Sequence, residues 1–259
     1  MKKLLLLVLA VFFLIVVKAW HDTYKDDDVS EHVSFRPVPG KTFRIDVPDI
    51  FGTEPQKRIF EMRIPENYRA DESVPLLVWF SPGGGSDSVN SVPPIVDFRK
   101  FLVVALPYPG HKLPRLAIKA GAETIDRFWD YERPMLEYVV DHVPNISTKV
   151  RVAAGFSSGA HLIGSGLDRD WVGFADFFTA YVLHEGGYAP AMTYRGIKDE
   201  HKVLVTYGLK NNSYGRVVVR EMKRAHKTLD VIKLPHTGHS MSQEAIDAIR
   251  EWIETYVDE

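Results

Sequence analysis

The chain has 259 residues, of which 45% are hydrophobic and 25% are charged. This composition excludes disordered, collagen-like and coiled-coil proteins, and the length fits one or at most two globular domains. The chain contains no cysteine, which excludes disulfides, thiolate metal sites, a thiol nucleophile and iron–sulfur clusters. Its formal net charge is −2 and it has no dense basic stripe, so we expect no nucleic-acid partner.

The N-terminal residues have the pattern of a secretory signal peptide. Lys2 and Lys3 precede an apolar run of 14 residues, Leu4–Val17, and Ala19 is a suitable last residue before cleavage. A free-standing transmembrane helix needs roughly 20 apolar residues, so this run is short for a membrane span. We therefore expect residues 1–19 to direct export. An uncleaved membrane anchor over residues 4–17 is the alternative.

The rest of the chain divides into a short polar linker and one domain. Residues 20–40 are polar and end in two prolines, which predicts a solvated linker. Residues 41–259 alternate short β-branched runs with longer helical patterns. This alternation is typical of an α/β domain with a mostly parallel sheet covered by helices on both faces.

The hydrophobic patterns predict eight strands, at Phe43–Val47, Arg58–Ile64, Leu76–Phe80, Leu102–Leu106, Arg151–Ala154, Ala180–Leu183, Val203–Tyr207 and Val231–Leu234. The first two have no helix between them, which indicates an antiparallel start to the sheet. Helices are predicted at Ile125–Val143, Ser158–Leu167, Gly215–Lys227 and Gln243–Val257. We expect Pro134 to bend or split the first helix, and Ser240 with Gln243 to form a capping box on the last.

The pentapeptide Gly155–Gly159, with the sequence GFSSG, lies between a predicted strand and a predicted helix. In this position the pattern places a serine on a sharp turn at the carboxyl end of the sheet, where two glycines relieve steric clashes. The N-terminus of the following helix would stabilise negative charge beside it. The sequence therefore predicts Ser157 as a nucleophile.

A serine hydroxyl needs a base to accept its proton, so a histidine is expected at the same edge of the sheet. His239 follows the last predicted strand and precedes the last helix, which makes it the preferred candidate. His236 competes for this role, and His161 is more compatible with local packing. The His236–His239 spacing could also indicate a metal pair, but no third ligand accompanies it, so we expect no metal.

These residues and their order resemble the α/β-hydrolase fold. Within it, the segments Pro65–Tyr68, Pro75–Phe80 and Gly155–His161 are similar to the secreted polyhydroxybutyrate-depolymerase and feruloyl-esterase-like group. The resemblance spans about residues 57–256. It implies a single α/β-hydrolase domain with a serine acyl-enzyme mechanism and without an organic cofactor.

The resemblance also implies an oxyanion hole after the third strand. Members of the fold usually carry His-Gly there, whereas this chain has Ser81-Pro82 followed by three glycines. Proline has no N–H to donate. We therefore expect the amides of Gly83 or Gly84, together with that of Ser158, to bind the substrate oxygen.

The acid of the expected catalytic triad is missing from its usual place. The family pattern implies an aspartate after the strand Val203–Tyr207, where this chain has Asn211. An asparagine can orient an imidazole but cannot stabilise its positive charge, and the same change costs a serine protease about 10⁴ in kcat. Three readings stay open: Asn211 serves in a slower triad, Glu185 after the sixth strand supplies the acid, or the protein only binds a ligand.

Taken together, the sequence predicts an exported hydrolase of carboxylic esters, with Ser157 as nucleophile and His239 as base. The expected partner is a small or polymer-linked ester. The sequence has no long insertion that would cover the cleft, so bulky or polymer-linked esters could enter it. Tyrosines and tryptophans could line the cleft. A membrane partner is expected only if the N-terminal segment stays uncleaved. A peptidase of the same fold and a non-catalytic ligand-binding module are the alternatives.

Overall fold

The computed structural model describes residues 35–47, 58–108, 122–189, 191–210 and 214–258. The predicted signal peptide, most of the linker, and Asn211 lie outside these residues. Within them, no helix combines the length and apolar character needed to cross a membrane.

The predicted sheet is confirmed, with eight strands in the spatial order β1-β2-β4-β3-β5-β6-β7-β8. Their bounds are Thr42–Val47 (β1), Arg58–Arg63 (β2), Val74–Phe80 (β3), Leu102–Leu106 (β4), Ile146–Phe156 (β5), Ala180–His184 (β6), Lys202–Gly208 (β7) and Asp230–Leu234 (β8). β2 pairs antiparallel with both β1 and β4, and the remaining neighbours are parallel. The antiparallel start is therefore also confirmed.

Helices follow the predicted pattern, with bounds of Ala122–His142 (α1), Ser158–Arg169 (α2), Phe174–Phe177 (α3), Tyr214–Arg224 (α4) and Gln243–Asp258 (α5). The short α3 was not predicted. α1 runs through Pro134 as one continuous helix, so of the two expected effects, a bend or a split, the split is wrong. A proline removes one backbone hydrogen bond, and the 21 residues of α1 supply enough others to keep it continuous.

The predicted cap of the last helix was placed two residues too early. α5 begins at Gln243, and the hydroxyl of Ser242 accepts a hydrogen bond from the amide of Ala245 at 3.2 Å. Ser242 is therefore the N-cap in place of Ser240. The Ser242 hydroxyl also contacts Thr237 Oγ1 at 2.6 Å, which fixes the chain ahead of the helix.

Alternate side chains of the central strands enter two apolar layers. Leu77 and Trp79 of β3 are buried in a cluster that includes Ile249 and Ile253 of α5. On the opposite face, Phe80 lies 6.1 Å from Phe174, measured between ring centroids. This alternation is the period of a strand, and burial on both faces explains why the central strands are apolar throughout.

The parallel register brings the carboxyl ends of the central strands to one edge of the sheet. Phe156 at the end of β5 is paired with His184 at the end of β6, and Gly208 of β7 is paired with Leu234 of β8. The residues that follow these strands therefore share that edge. In open α/β sheets this is where ligands bind.

Candidate active site

Ser157 occupies a strained turn between β5 and α2. Its φ is 53° and its ψ is −115°, a combination that costs a non-glycine residue about 1–3 kcal/mol. Backbone hydrogen bonds hold it on both sides: its amide donates to the carbonyl of His184 at 3.0 Å, and its carbonyl accepts from the amide of His161 at 3.0 Å. The turn therefore has the geometry that the GFSSG pattern predicts.

The two glycines of the pattern are required by close backbone contacts. A Cβ atom on Gly159 would lie 1.9 Å from the carbonyl oxygen of Phe80, and one on Gly155 would lie 2.7 Å from the amide nitrogen of Ala160. Neither contact can be relieved by rotating a side chain. These glycines let α2 start directly against the ends of β3 and β5.

The His239 ring contacts the hydroxyl of Ser157. Its Nε2 lies 2.9 Å from Ser157 Oγ, within hydrogen-bond distance, although the two residues are 82 positions apart. The His239 side chain is 45% exposed, so it is open to solvent and to a substrate. His236, the competing candidate, is an exposed residue of the same loop.

The carboxylate of Glu185 faces the other nitrogen of that ring. Glu185 directly follows β6, has a positive φ of 51°, and its side chain is completely buried. One carboxylate oxygen accepts the amide of Gly208, and the other lies 3.6 Å from His239 Nδ1. That distance is longer than a hydrogen bond, and catalytic hydrogen bonds in substrate-free structures are often longer than those in substrate complexes. The structure thus brings together Ser157, His239 and Glu185, in that order.

The glycine loop after β3 lies beside the turn that carries Ser157. A Cβ atom on Gly83 would approach the Ser158 hydroxyl to 2.9 Å, so Gly83 and Ser158 are neighbours. Gly84 has a φ of 78°, which favours glycine, and the amide of Gly85 closes a turn onto the carbonyl of Pro82 at 2.6 Å. The predicted oxyanion donors therefore lie on adjoining segments.

Two tyrosines, Tyr108 and Tyr188, lie near these segments. Burial raises the pKa of Tyr108 to about 12, the charge of Glu132 adds to this, and a hydrogen bond with the Ser158 side chain opposes it. The carbonyl of Tyr188 lies 3.2 Å from Nδ1 of His161, and burial lowers the pKa of His161 to about 4. His161 is therefore a neutral packing residue at neutral pH.

The described tryptophans are mainly packing residues. Trp129 and Trp171 stack with their ring centroids 6.2 Å apart, and Trp79 is buried in the sheet. Trp252 on α5 donates a hydrogen bond to Asp230 at 2.7 Å. Among the residues that the structure describes, no three potential metal-ligating side chains come together.

Sequence reasoning missed two residues that shape this edge, Gly208 and His184. Gly208 binds Glu185 through its amide, and a Cβ atom there would lie 2.1 Å from the carbonyl oxygen of Thr237. His184 is fully buried between Thr206 and Ser240. The available signal was a histidine directly before a glutamate at a strand end, which reads equally well as a pair of loop residues.

The strand order, the strained serine turn and the glycine loop together define the α/β-hydrolase fold, and comparison with solved structures confirms it. No protein-family model matches the chain, and no curated protein matches its sequence.

Structures similar to this chain include esterases and peptidases of low sequence identity. The substrate-bound fluorophosphonate-binding serine hydrolase FphF of Staphylococcus aureus is 14% identical, with a TM-score of 0.61 over 86% of this chain and 100% of that one. The feruloyl esterase module of Clostridium thermocellum, in complex with sinapinate, is 12% identical, with a TM-score of 0.58 over 85% and 91%. Dipeptidyl peptidase 4 of Porphyromonas gingivalis is 9% identical, with a TM-score of 0.61, and 85% of this chain covers 36% of it.

Proposed function

We propose that the protein is a serine hydrolase that cleaves carboxylic esters through a covalent acyl-enzyme. The observation that carries this proposal is the 2.9 Å contact between His239 Nε2 and Ser157 Oγ. A nucleophile within hydrogen-bond reach of a base, which a third group orients, is the arrangement needed for acyl transfer. The similar structures include esterases, which is consistent with this chemistry.

In the proposed reaction, Ser157 Oγ attacks the ester carbonyl carbon while His239 Nε2 accepts the hydroxyl proton. The oxyanion that forms is bound by amides of the glycine loop and of Ser158. His239 then donates the proton to the departing alkoxide, which leaves as an alcohol. A water molecule repeats these steps on the acyl-enzyme, with His239 again as base, and releases the acid and the free serine.

We assign the third position of the triad to Glu185 in preference to Asn211. The Glu185 carboxylate is buried, accepts an amide hydrogen bond, and lies 3.6 Å from the imidazole. A carboxylate at this place compensates the positive charge that the imidazole gains during the reaction, which an asparagine cannot do.

The proposal is tested by assaying the purified protein and its Ser157→Ala variant on a series of aryl esters, from acetyl to feruloyl. We expect ester hydrolysis by the wild-type protein, and a fall in kcat of about 10⁵ or more in the variant. Equal rates for the two proteins would contradict the role of Ser157. No hydrolysis by either, with saturable binding of the ester, would favour the ligand-binding module.

A peptidase is the second candidate, because dipeptidyl peptidase 4 and an acylaminoacyl peptidase from Pyrococcus horikoshii are among the similar structures. The described chain covers only 36% and 41% of these proteins. Dipeptidyl and acylaminoacyl anilides, assayed beside the esters, distinguish the two activities. A higher kcat/KM on the anilides would replace the esterase proposal.

We also propose that the protein is exported, on the basis of the pattern in residues 1–19. Expression of the full chain in a bacterial host, followed by N-terminal sequencing of each cell fraction, tests this. Export with cleavage would give Trp20 as the first residue outside the cytoplasm. Intact Met1 in the membrane fraction would favour the anchor, and intact Met1 in the cytoplasm would contradict export.

A further inference from the structure

His239 lies on a loop, so its position depends on how that loop is attached to the sheet. On the N-terminal side of His239, the carbonyl of Thr237 accepts the amide of Lys210 at 3.2 Å. Thr237 is also buried, and it closely approaches Gly208 at the end of β7. This side of the loop is therefore fixed by backbone contacts.

On the C-terminal side, Ser242 contacts Thr237 ahead of α5, and one buried side chain, His184, contacts the backbone directly next to His239. The Nε2 of His184 lies 3.0 Å from the carbonyl oxygen of Ser240, the residue that follows His239. Its Nδ1 lies 2.8 Å from the hydroxyl of Thr206, which is itself buried. A carbonyl can only accept, so Nε2 must carry the proton, and Nδ1 accepts from Thr206 in the neutral ring.

The neutral ring is the form that the surroundings favour. Burial lowers the pKa of His184, and nearby His239 lowers it further, although the Ser240 carbonyl and Glu185 act in the opposite direction. When His184 is neutral, the negative charge of Glu185 acts on the His239 ring alone. A neutral His184 also adds no positive charge beside an imidazole that must itself become positive during catalysis.

The aromatic ring of Phe156 connects the two histidines. Its centroid lies 5.3 Å from the ring of His184 and 5.0 Å from that of His239. Phe156 directly precedes Ser157, so this contact joins the serine turn to the histidine loop. His184 therefore holds the backbone of the loop, and Phe156 contacts the ring of His239.

The backbone after β6 turns both His184 and Glu185 towards this loop. Consecutive side chains of an extended strand point to opposite faces. Here β6 ends at His184, and Glu185 has a φ of 51°. As a result, the first side chain contacts the Ser240 carbonyl and the second faces the His239 imidazole.

We propose that His184 is a positioning residue, which holds the Ser240 carbonyl so that His239 Nε2 stays within hydrogen-bond reach of Ser157 Oγ. This inference rests on the proposed hydrolase function. His184 acts on the loop backbone, whereas Glu185 acts on the imidazole itself. A displacement of about 1 Å at a catalytic group can cost about 10² in rate, so one anchoring hydrogen bond is enough to matter.

A pair of variants that differ by one methylene group tests the proposal. Asparagine at position 184 retains an amide near Thr206 but is too short to reach Ser240, whereas glutamine places an NH₂ donor close to the position of Nε2. His201→Asn is the matched control. His201 is also a buried histidine, with a pKa lowered by burial, but it lies next to the amino end of β7, far along the strand from Gly208.

Two measurements are made on each protein: kcat and KM for an aryl ester, and the His239 Nε2 to Ser157 Oγ distance in a crystal structure. We expect His184→Asn to lengthen that distance by about 1 Å and lower kcat about 10- to 100-fold, with KM changed less than about threefold. His184→Gln and His201→Asn should stay within about threefold in both constants. If His184→Asn does not fold, His184→Phe, which keeps the ring volume, replaces it.

The crystallographic distance separates this proposal from the proposed activity. An unchanged distance in His184→Asn would overturn the positioning role, as would an equal fall in kcat in His184→Gln or His201→Asn. A longer distance in a protein whose wild type hydrolyses no substrate would support His184 as the anchor of the loop and count against the hydrolase assignment alone.

Discussion

The interior of the sheet and the edge that carries Ser157 differ in backbone conformation and in the kind of side chain that they bury. In the interior, β4 is five consecutive buried apolar residues, Leu102–Leu106, in extended conformation. At the edge, Ser157 and Glu185 both have positive φ, and two polar side chains, His184 and Glu185, are fully buried. Regular structure and apolar burial therefore stabilise the interior, whereas the edge combines strain with buried polar groups.

The free energies of strain and of apolar burial explain why the fold tolerates a strained edge. Each strained backbone residue costs about 1–3 kcal/mol. Fully burying one valine or leucine side chain contributes about 1.5–3 kcal/mol. A few residues of β4 therefore offset the strain at Ser157 and Glu185. Substitutions at the edge should consequently change activity more than stability, and substitutions at its junction with the interior should do the reverse.

Among the substitutions that compare the edge with the interior, the largest effect is expected for Glu185→Gln, which keeps the shape of the edge and removes its charge. We expect kcat to fall about 10⁴-fold, by analogy with the loss of the aspartate charge in a serine protease. The glutamine oxygen can still accept the Gly208 amide, so the free energy of unfolding should change by less than about 1 kcal/mol. Ester kinetics and urea unfolding measure the two quantities.

Asn211→Asp is the companion to that substitution. If Glu185 is the third member of the triad, Asn211→Asp should alter kcat by less than about threefold. A large rise in kcat for Asn211→Asp, together with little loss for Glu185→Gln, would instead assign the third position to residue 211.

The next effect is expected where the edge meets the interior, at Gly159. A Cβ atom there would lie 1.9 Å from the Phe80 carbonyl, so Gly159→Ala should destabilise the fold by about 3 kcal/mol or more. Gly173→Ala is the control. Gly173 has a φ of 78°, but a Cβ atom there would have no other atom within 4 Å. Urea unfolding should show a loss of only about 1 kcal/mol for the control. Similar losses for both variants would disprove the steric explanation.

The smallest expected effect is the pH dependence that buried His161 confers. Its pKa falls from 6.5 to about 4 on folding, so the unfolded chain binds more protons between these values. The contribution of neutral His161 to the free energy of unfolding is therefore fully present above pH 6.5 and is lost as the pH falls towards 4. Between pH 7 and pH 5 this loss is about 2 kcal/mol. Unfolding of the wild-type protein and of His161→Gln at both pH values measures this loss. An equal loss in the variant would show that other groups cause it.

The interior was more predictable from the sequence than the edge. Apolar runs locate all eight strands, because burial on both faces requires them. The main discrepancy is β5, which begins at Ile146 and not at Arg151, since its first residues are largely polar and partly exposed. The cap of α5 was misplaced because Ser240 and Ser242 are equally good capping residues, and the contact with Thr237 that favours Ser242 exists only in the folded chain.

At the edge, the sequence identified single residues but not their partners. The GFSSG turn and the late histidine are local patterns, so Ser157 and His239 could be proposed from them. The choice between Glu185 and Asn211 depends on which turn reaches the imidazole, and the positive φ of Glu185 is not encoded in a local motif. The contact between His184 and Ser240 joins residues 56 positions apart and gives no sequence signal.

The central claim is that His239 activates the hydroxyl of Ser157 for nucleophilic attack. The most direct test is to treat the wild-type protein and His239→Ala with a fluorophosphonate, and to locate the adduct by peptide mass spectrometry. We predict rapid labelling on Ser157 in the wild-type protein, and labelling slower by at least about 10³ in His239→Ala. An unlabelled wild-type protein, or equal labelling of the two proteins, would contradict the claim.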